Sequence, residues 1–201
     1  MIVGIDFDNT IICYDTAFHL AAIERGLIPA ELPPSKERVR DYLRSAGRED
    51  DWTELQGFVY GARMETVSPF SGATSCIREL VERGVEVFIV SHKTLHPYRG
   101  TRYDLHEAAR RWLEASGFLD QAGLSAGRAF FELTREEKLR RIAALGCTHF
   151  IDDLPEILTA PQFPSSASPL LFAPLSDTGG AALHRFGSWA AIAAYFRGID
   201  G

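Results

Sequence analysis

The residues of this chain with the clearest capacity for chemistry stand near its start. An apolar run, Ile2-Val3-Gly4-Ile5, ends in Asp6-Phe7-Asp8-Asn9-Thr10. Two carboxylates that close repel one another, and one of them would hold its proton unless a cation compensates. Three further polar clusters follow: Ser91-His92-Lys93-Thr94 after the run Val85-Glu-Val-Phe-Ile-Val90, Lys138 at the start of an amphipathic stretch, and Asp152-Asp153 after Thr148-His-Phe-Ile151. The chemistry that these types suggest together is phosphoryl transfer. A carboxylate can attack phosphorus and split one difficult displacement into two. A divalent metal offsets the repulsion between carboxylate and phosphate, and oxygen-rich Asp ligation suits Mg²⁺. A lysine and a hydroxyl then hold the equatorial oxygens, over which the transition state spreads its charge.

Such clusters work together only if the fold gathers them. Ile2–Ile5 reads as a buried strand. Residues 16–66 are mostly helical: the apolar spacing of Phe18, Leu20, Ala21, Ile23 and Leu27 predicts one helix, Ser35 N-caps a second that ends at Gly47, and 50–64 form a third, weaker one. From residue 73 helix and strand alternate. A helix ends at Gly84, a strand covers 85–91, a helix covers 103–118 and a short strand covers 127–133. A capping box of Thr134 and Glu137 opens the next helix. Strands over 147–153 and 169–175 follow, then a helix capped by Ser188; the Pro/Ser-rich residues 160–169 read as loop. The expected fold is α/β: a Rossmann-like, doubly wound, mainly parallel sheet with a small helical insert. Residues 1–15 and 67–201 make the core and 16–66 the insert. In such sheets ligands bind beyond the carboxyl ends of the strands, which is where all four clusters fall.

At these positions the chain resembles the haloacid dehalogenase (HAD) superfamily. D-F-D-N-T at 6–10 is similar to its first motif, Ser91 to the second, Lys138 to the third and Asp152-Asp153 to the acidic fourth, in the family's order. The resemblance implies a HAD core with a helical C1-type cap, and a Mg²⁺-dependent phosphatase with an aspartyl-phosphate intermediate. Asp6 would be the nucleophile. Asp8 would act as general acid and then as base, while Asn9 and Thr10 order the turn. The metal would take Asp6, the Asp8 backbone carbonyl and Asp152, with Asp153 setting its surroundings. Thr10, Asn9, Ser91, His92 and Lys93 are candidate phosphate contacts. Either Lys138 or Lys93 can neutralise the phosphate; the place of Lys138 just before the last acidic strand favours it. The loop His92–His106, rich in His, Lys, Arg and Tyr, is open to two readings, a substrate-binding loop or a solvated basic one. A phosphomutase, a phospho-acceptor domain similar to response-regulator receivers, and a binding protein with little turnover are the alternatives. The receiver is disfavoured by the order of the motifs.

Composition narrows the field. The 201 residues are 46% hydrophobic and 24% charged with net charge −6, ordinary for a globular protein and contrary to a nucleic-acid polymer as partner. Cys13, Cys76 and Cys147 are too scattered for a disulfide framework and read as buried thiols. No run approaches a membrane span and no signal-peptide pattern is visible, so a cytoplasmic enzyme is expected. The resemblance implies a small phosphorylated substrate as its partner, a sugar phosphate or a nucleotide. His19 and His149 read as packing residues rather than metal ligands. Trp52, Phe58 and Tyr60 read as packing, and Arg38, Arg40 and Arg44 as a solvated helix face.

Overall fold

The computed structural model describes residues 1–174 and 183–199. Elements in chain order are β1 (Ile2–Ile5), β2 (Ile12–Cys13), α1 (Asp15–Glu24), α2 (Lys36–Ser45), α3 (Glu49–Ala62), β3 (Ser68–Pro69), α4 (Ala73–Glu82), β4 (Glu86–His92), α5 (Leu105–Ala115), α6 (Phe118–Ala122), β5 (Ala129–Glu132), α7 (Arg135–Ala144), β6 (His149–Asp152), α8 (Pro155–Leu158), β7 (Ser168–Phe172), β8 (His184–Phe186) and α9 (Trp189–Ile199). They separate into two compact units. The first holds Met1–Ile12, Pro69–His92 and the described residues from Gly117 onward; the second holds Cys13–Ser68 and Lys93–Ser116.

The first unit is built on a six-stranded sheet in the order β5-β4-β1-β6-β7-β8, with every pairing parallel. The chain leaves β1 for β4 and β5 on one side, then returns to β6, β7 and β8 on the other. This reversal on either side of β1 is the switch point of a doubly wound sheet, as expected. One face packs Val90, Phe150 and Leu171 against Leu139 and Ile142 of α7 and Ile157 and Leu158 of α8. β1 can lie under this layer because residue 4 is glycine: a Cβ there would sit 2.5 Å from the Phe150 ring. The other face meets α9, whose Phe196 and Trp189 rings lie 5.4 Å from His149 and 5.8 Å from Phe172. Central strands covered on both faces must be apolar throughout, which explains why Val3, Ile5, Val87, Ile89, Phe150 and Ile151 are all buried.

The second unit is helical. Ser35 caps α2 by accepting a hydrogen bond from the Arg38 amide, and α1, α2 and α3 close around the rings of Tyr14, Phe18, Trp52 and Tyr60. Residues 93–116, which the sequence pattern places in the α/β core, group with this unit instead. Two glycines of α3 allow it: a Cβ on Gly57 would lie 2.6 Å from Pro97, and one on Gly61 2.3 Å from the Tyr103 ring. The long helix expected over 103–118 is broken at Gly117, which takes a left-handed φ of 69° and starts the short α6. β2, β3, α8 and β8 have no counterpart in the sequence expectation. Leu175, the last residue of the expected strand 169–175, lies outside the described residues. No helix among the described residues is long and apolar enough to cross a membrane.

Candidate active site

Asp6 follows the last residue of β1, and its amide donates to Ile151 O on β6 (2.9 Å), so the strand pairing itself fixes the base of this side chain. The chain then turns sharply. The amides of Ile11 and Ile12 both donate to Phe7 O, at 3.1 and 3.0 Å. Asn9 alone among the described non-glycine residues takes a positive φ, 59°, a conformation that Asn tolerates better than most side chains. Thr10 is fully buried, and its hydroxyl donates to Asp6 Oδ2 (3.4 Å) and to Asp153 Oδ1 (3.5 Å), both long contacts. A residue that the sequence did not single out completes this turn. The Trp189 indole N–H, from α9, donates to Thr10 O at 3.0 Å. The pairing spans most of the chain, so no local pattern could announce it.

Lys138 lies one turn into α7, and the expected capping box sets where that helix begins. The Thr134 hydroxyl accepts from the Glu137 amide and the Glu137 carboxylate accepts from the Thr134 amide, both at 3.1 Å. Lys138 is fully buried, and its Nζ donates to Asp6 Oδ1 (2.6 Å) and to Asp152 Oδ2 (2.7 Å). Burial opposes the charge on this ammonium, yet the two carboxylates overcome that and hold its pKa above the ordinary lysine value. For Asp152 the balance tips the other way. Burial pushes its carboxyl up, against the pull of Lys138, and the neighbouring Asp6 adds to the rise.

Asp6, Asp152 and Asp153 each offer a carboxylate oxygen within 4.8 Å of the others. Three like charges against one lysine leave a net negative hole lined by hard oxygens, the donor set that fits a small divalent cation such as Mg²⁺. The Asp8 carboxylate is not part of this group; its backbone bridges to Ile12. Ser91 and His92 close β4, the strand beside β1, and Ser91 is buried. The His92 Nδ1 is buried without a hydrogen-bond partner, and burial, followed by the Lys138 charge, lowers the pKa of that ring. The strand ends therefore gather Asp6, Thr10, Ser91, His92, Lys138, Asp152 and Asp153 within one unit.

Lys93 belongs to the second unit, where it is buried with its Nζ 5.3 Å from the centre of the Tyr60 ring, while Lys138 is the lysine bonded to Asp6. His19 Nε2 lies 2.6 Å from Leu32 O and His149 Nδ1 lies 3.0 Å from the Thr148 hydroxyl, as befits packing residues. Cys76 and Cys147 are buried; Cys13, expected to be, is only half-buried, at the end of the two-residue β2. Trp52 packs on Phe18 and Tyr60 on Tyr14, whereas Phe58 carries the Arg25 guanidinium 4.0 Å above its ring. Arg40 and Arg44 form surface ion pairs with Asp41 and Glu49.

No family model matches this sequence, and no curated protein matches it. Solved structures do. A HAD-superfamily hydrolase from Ehrlichia chaffeensis superposes with a TM-score of 0.62 at 15% identity, over 99% of this chain and 97% of that one. A HAD family hydrolase from Deinococcus radiodurans, with bound phosphate and sodium, gives 0.61 at 17% over 98% and 95%. A HAD hydrolase from Bacillus subtilis, bound to magnesium, gives 0.55 at 12% over 96% and 97%. The fold is that of the HAD-superfamily hydrolases. Along this chain the motif-like residues run from Asp6 to Thr10 after β1, through Ser91 at the end of β4 and Lys138 on α7, to Asp152-Asp153 at the end of β6, and in the sheet β1 lies between β4 and β6.

Proposed function

We propose that this protein is a Mg²⁺-dependent phosphoric monoester hydrolase that works through a phosphorylated Asp6. Its substrate on this reading is a small phosphorylated metabolite, a sugar phosphate or a nucleotide. The observation that carries the reading is the Lys138 ammonium bonded at once to Asp6 and Asp152, with Asp153 completing a cluster of three carboxylates at the ends of neighbouring strands. Support comes from the HAD neighbours, one solved with phosphate and one with magnesium.

The proposed course follows from the residues. A carboxylate oxygen of Asp6 attacks phosphorus, and the ester oxygen departs with a proton from Asp8. Asp8, now a carboxylate, takes a proton from water as that water attacks the acyl phosphate, which restores Asp6 and releases phosphate. Lys138 keeps a positive charge beside the reacting oxygens throughout, where a site dry of solvent makes it most effective. Ser91 offers a hydroxyl to the phosphoryl oxygens. Asp6, Asp152 and Asp153, with the Asp8 backbone carbonyl, would hold Mg²⁺, which when bound offsets the charge that repels a phosphate from three carboxylates. Residues 16–66, the expected C1-type cap, are assigned the choice of leaving group. A phosphate-release screen over phosphorylated metabolites, with Mg²⁺ and with EDTA, tests the reading. Turnover of at least one monoester in Mg²⁺, abolished by EDTA, is expected; full activity in excess chelator would overturn it.

A further inference from the structure

We propose that the second unit carries a separate binding site for a small organic ammonium ion with an apolar body, in the cavity between α3 and α5. The cavity measures about 560 Å³, inside the span of roughly 300–1,000 Å³ typical of small-molecule sites. It exists because the facing helix surfaces are built from small residues. Gly61 lets α3 approach the Tyr103 ring, and Ala62 and Ala108 leave space where larger side chains would close the gap.

The lining has two chemistries. Met64 and Trp112, both largely buried, supply an apolar floor beside the Tyr103 ring. The rim carries the carboxylates of Glu65, Asp104 and Glu107 against the single cation Arg111. Arg111 is engaged by Glu107 at 2.7 Å, and Arg63 reaches Glu65 at 3.1 Å. Even with both arginines counted, the acids stay in excess. Asp104 is tied to the helix start, where it accepts from the Glu107 amide. Aromatic surface beside carboxylates that outnumber their arginines is the setting in which an organic cation is favoured, since ring face and carboxylate both attract it. An anion of the same shape meets repulsion. None of the residues in this site belongs to the Asp6–Lys138–Asp152 cluster, so the inference does not depend on the phosphatase reading.

The test is calorimetric titration of the intact protein with three probes sharing one apolar body: 1-naphthylmethylammonium, the neutral 1-naphthylmethanol and 1-naphthoate. Saturable one-to-one binding is expected, with the ammonium about tenfold tighter than the alcohol and the carboxylate weakest. Glu65→Gln combined with Glu107→Gln should bring the ammonium down to the alcohol's affinity without changing the alcohol. Ala108→Trp should fill the cavity and abolish binding of both. Equal affinity for ammonium and alcohol in the native protein, absence of saturable binding, or undiminished binding by a folded Ala108→Trp protein would each overturn the proposal. If circular dichroism shows that Ala108→Trp does not fold, the paired Gln variant decides alone.

Discussion

Replacing Lys138 by Met tests the centre of the first unit without calling on turnover. Methionine fills much of the same space but removes a fully buried ammonium bonded at 2.6 and 2.7 Å to two carboxylates that are themselves almost wholly buried. Surface ion pairs contribute little, but removing one partner of a buried pair leaves charge without compensation and costs about 3–5 kcal/mol. Hydrogen exchange followed by mass spectrometry reads this locally, in peptides covering β1 and β6. Converted at 1.4 kcal/mol per factor of ten, the loss is roughly two to four powers of ten in protection in EDTA. On the proposed metal site, Mg²⁺ at a hundred times the native protein's Kd should return about 2.7 kcal/mol, and the same concentration should return more in the variant, whose carboxylates lack their lysine. The pH dependence has a definite sign. Burial already raises Asp152 in the native protein, and without the opposing Lys138 charge it rises further. A carboxyl raised on folding stabilises below its unfolded pKa, and this is lost as pH rises through the folded one. The variant's deficit should therefore be smaller at pH 5 than at pH 8. Loss of less than tenfold in protection, or a deficit that grows on acidification, would refute the argument.

Asp6→Asn should abolish phosphate release from every ester, while Asp8→Asn should slow an alkyl phosphate far more than a nitrophenyl phosphate, which leaves without a proton; comparing the two substrates under steady-state conditions checks both. With the aryl ester, Lys138→Ala should lower kcat more than Lys93→Ala, because Lys138 is the lysine bonded to Asp6, and the reverse ranking would reassign the phosphate-neutralising role. Burial lifts the Cys76 thiol to about 12 and the Cys147 thiol to about 11, so neither holds much thiolate at pH 8. Burial raises the Cys13 thiol as well, but Cys13 is only half-buried and should be alkylated first by iodoacetamide, as mass mapping over time would reveal. Gly61→Ala drives a methyl into the Tyr103 ring and should destabilise the second unit by about 1–3 kcal/mol, measured as faster exchange in α3 and α5.

The chemistry-bearing residues and the elements that carry them are local properties, and the sequence alone determined both. Apolar runs of strand length ended in acids, Thr134 and Glu137 stood three residues apart before a helix, and Ser35 and Ser188 preceded apolar periodicity. Each feature depends on residues within one turn or one strand of each other, and each recurs in the structure. Because parallel strands place their carboxyl ends on one edge, strand identity also implied that the four clusters meet there.

What tertiary structure decided was partnership. Amphipathic periodicity in α5 shows that one face is buried, not what covers it. The answer, α3, rests on Gly57 and Gly61, whose missing side chains admit Pro97 and Tyr103. Hence residues 93–116 left the expected core, and the lysine after His92 went to the second unit, while Lys138, far along the chain, reached Asp6. β8 is three residues long and α8 four, too short for any period to show, so each exists by virtue of its neighbours. The Trp189 bond to Thr10 joins two ends of the sequence through the packing of α9 on the sheet. Local pattern records which groups must be buried or bonded; only the packed chain pairs them.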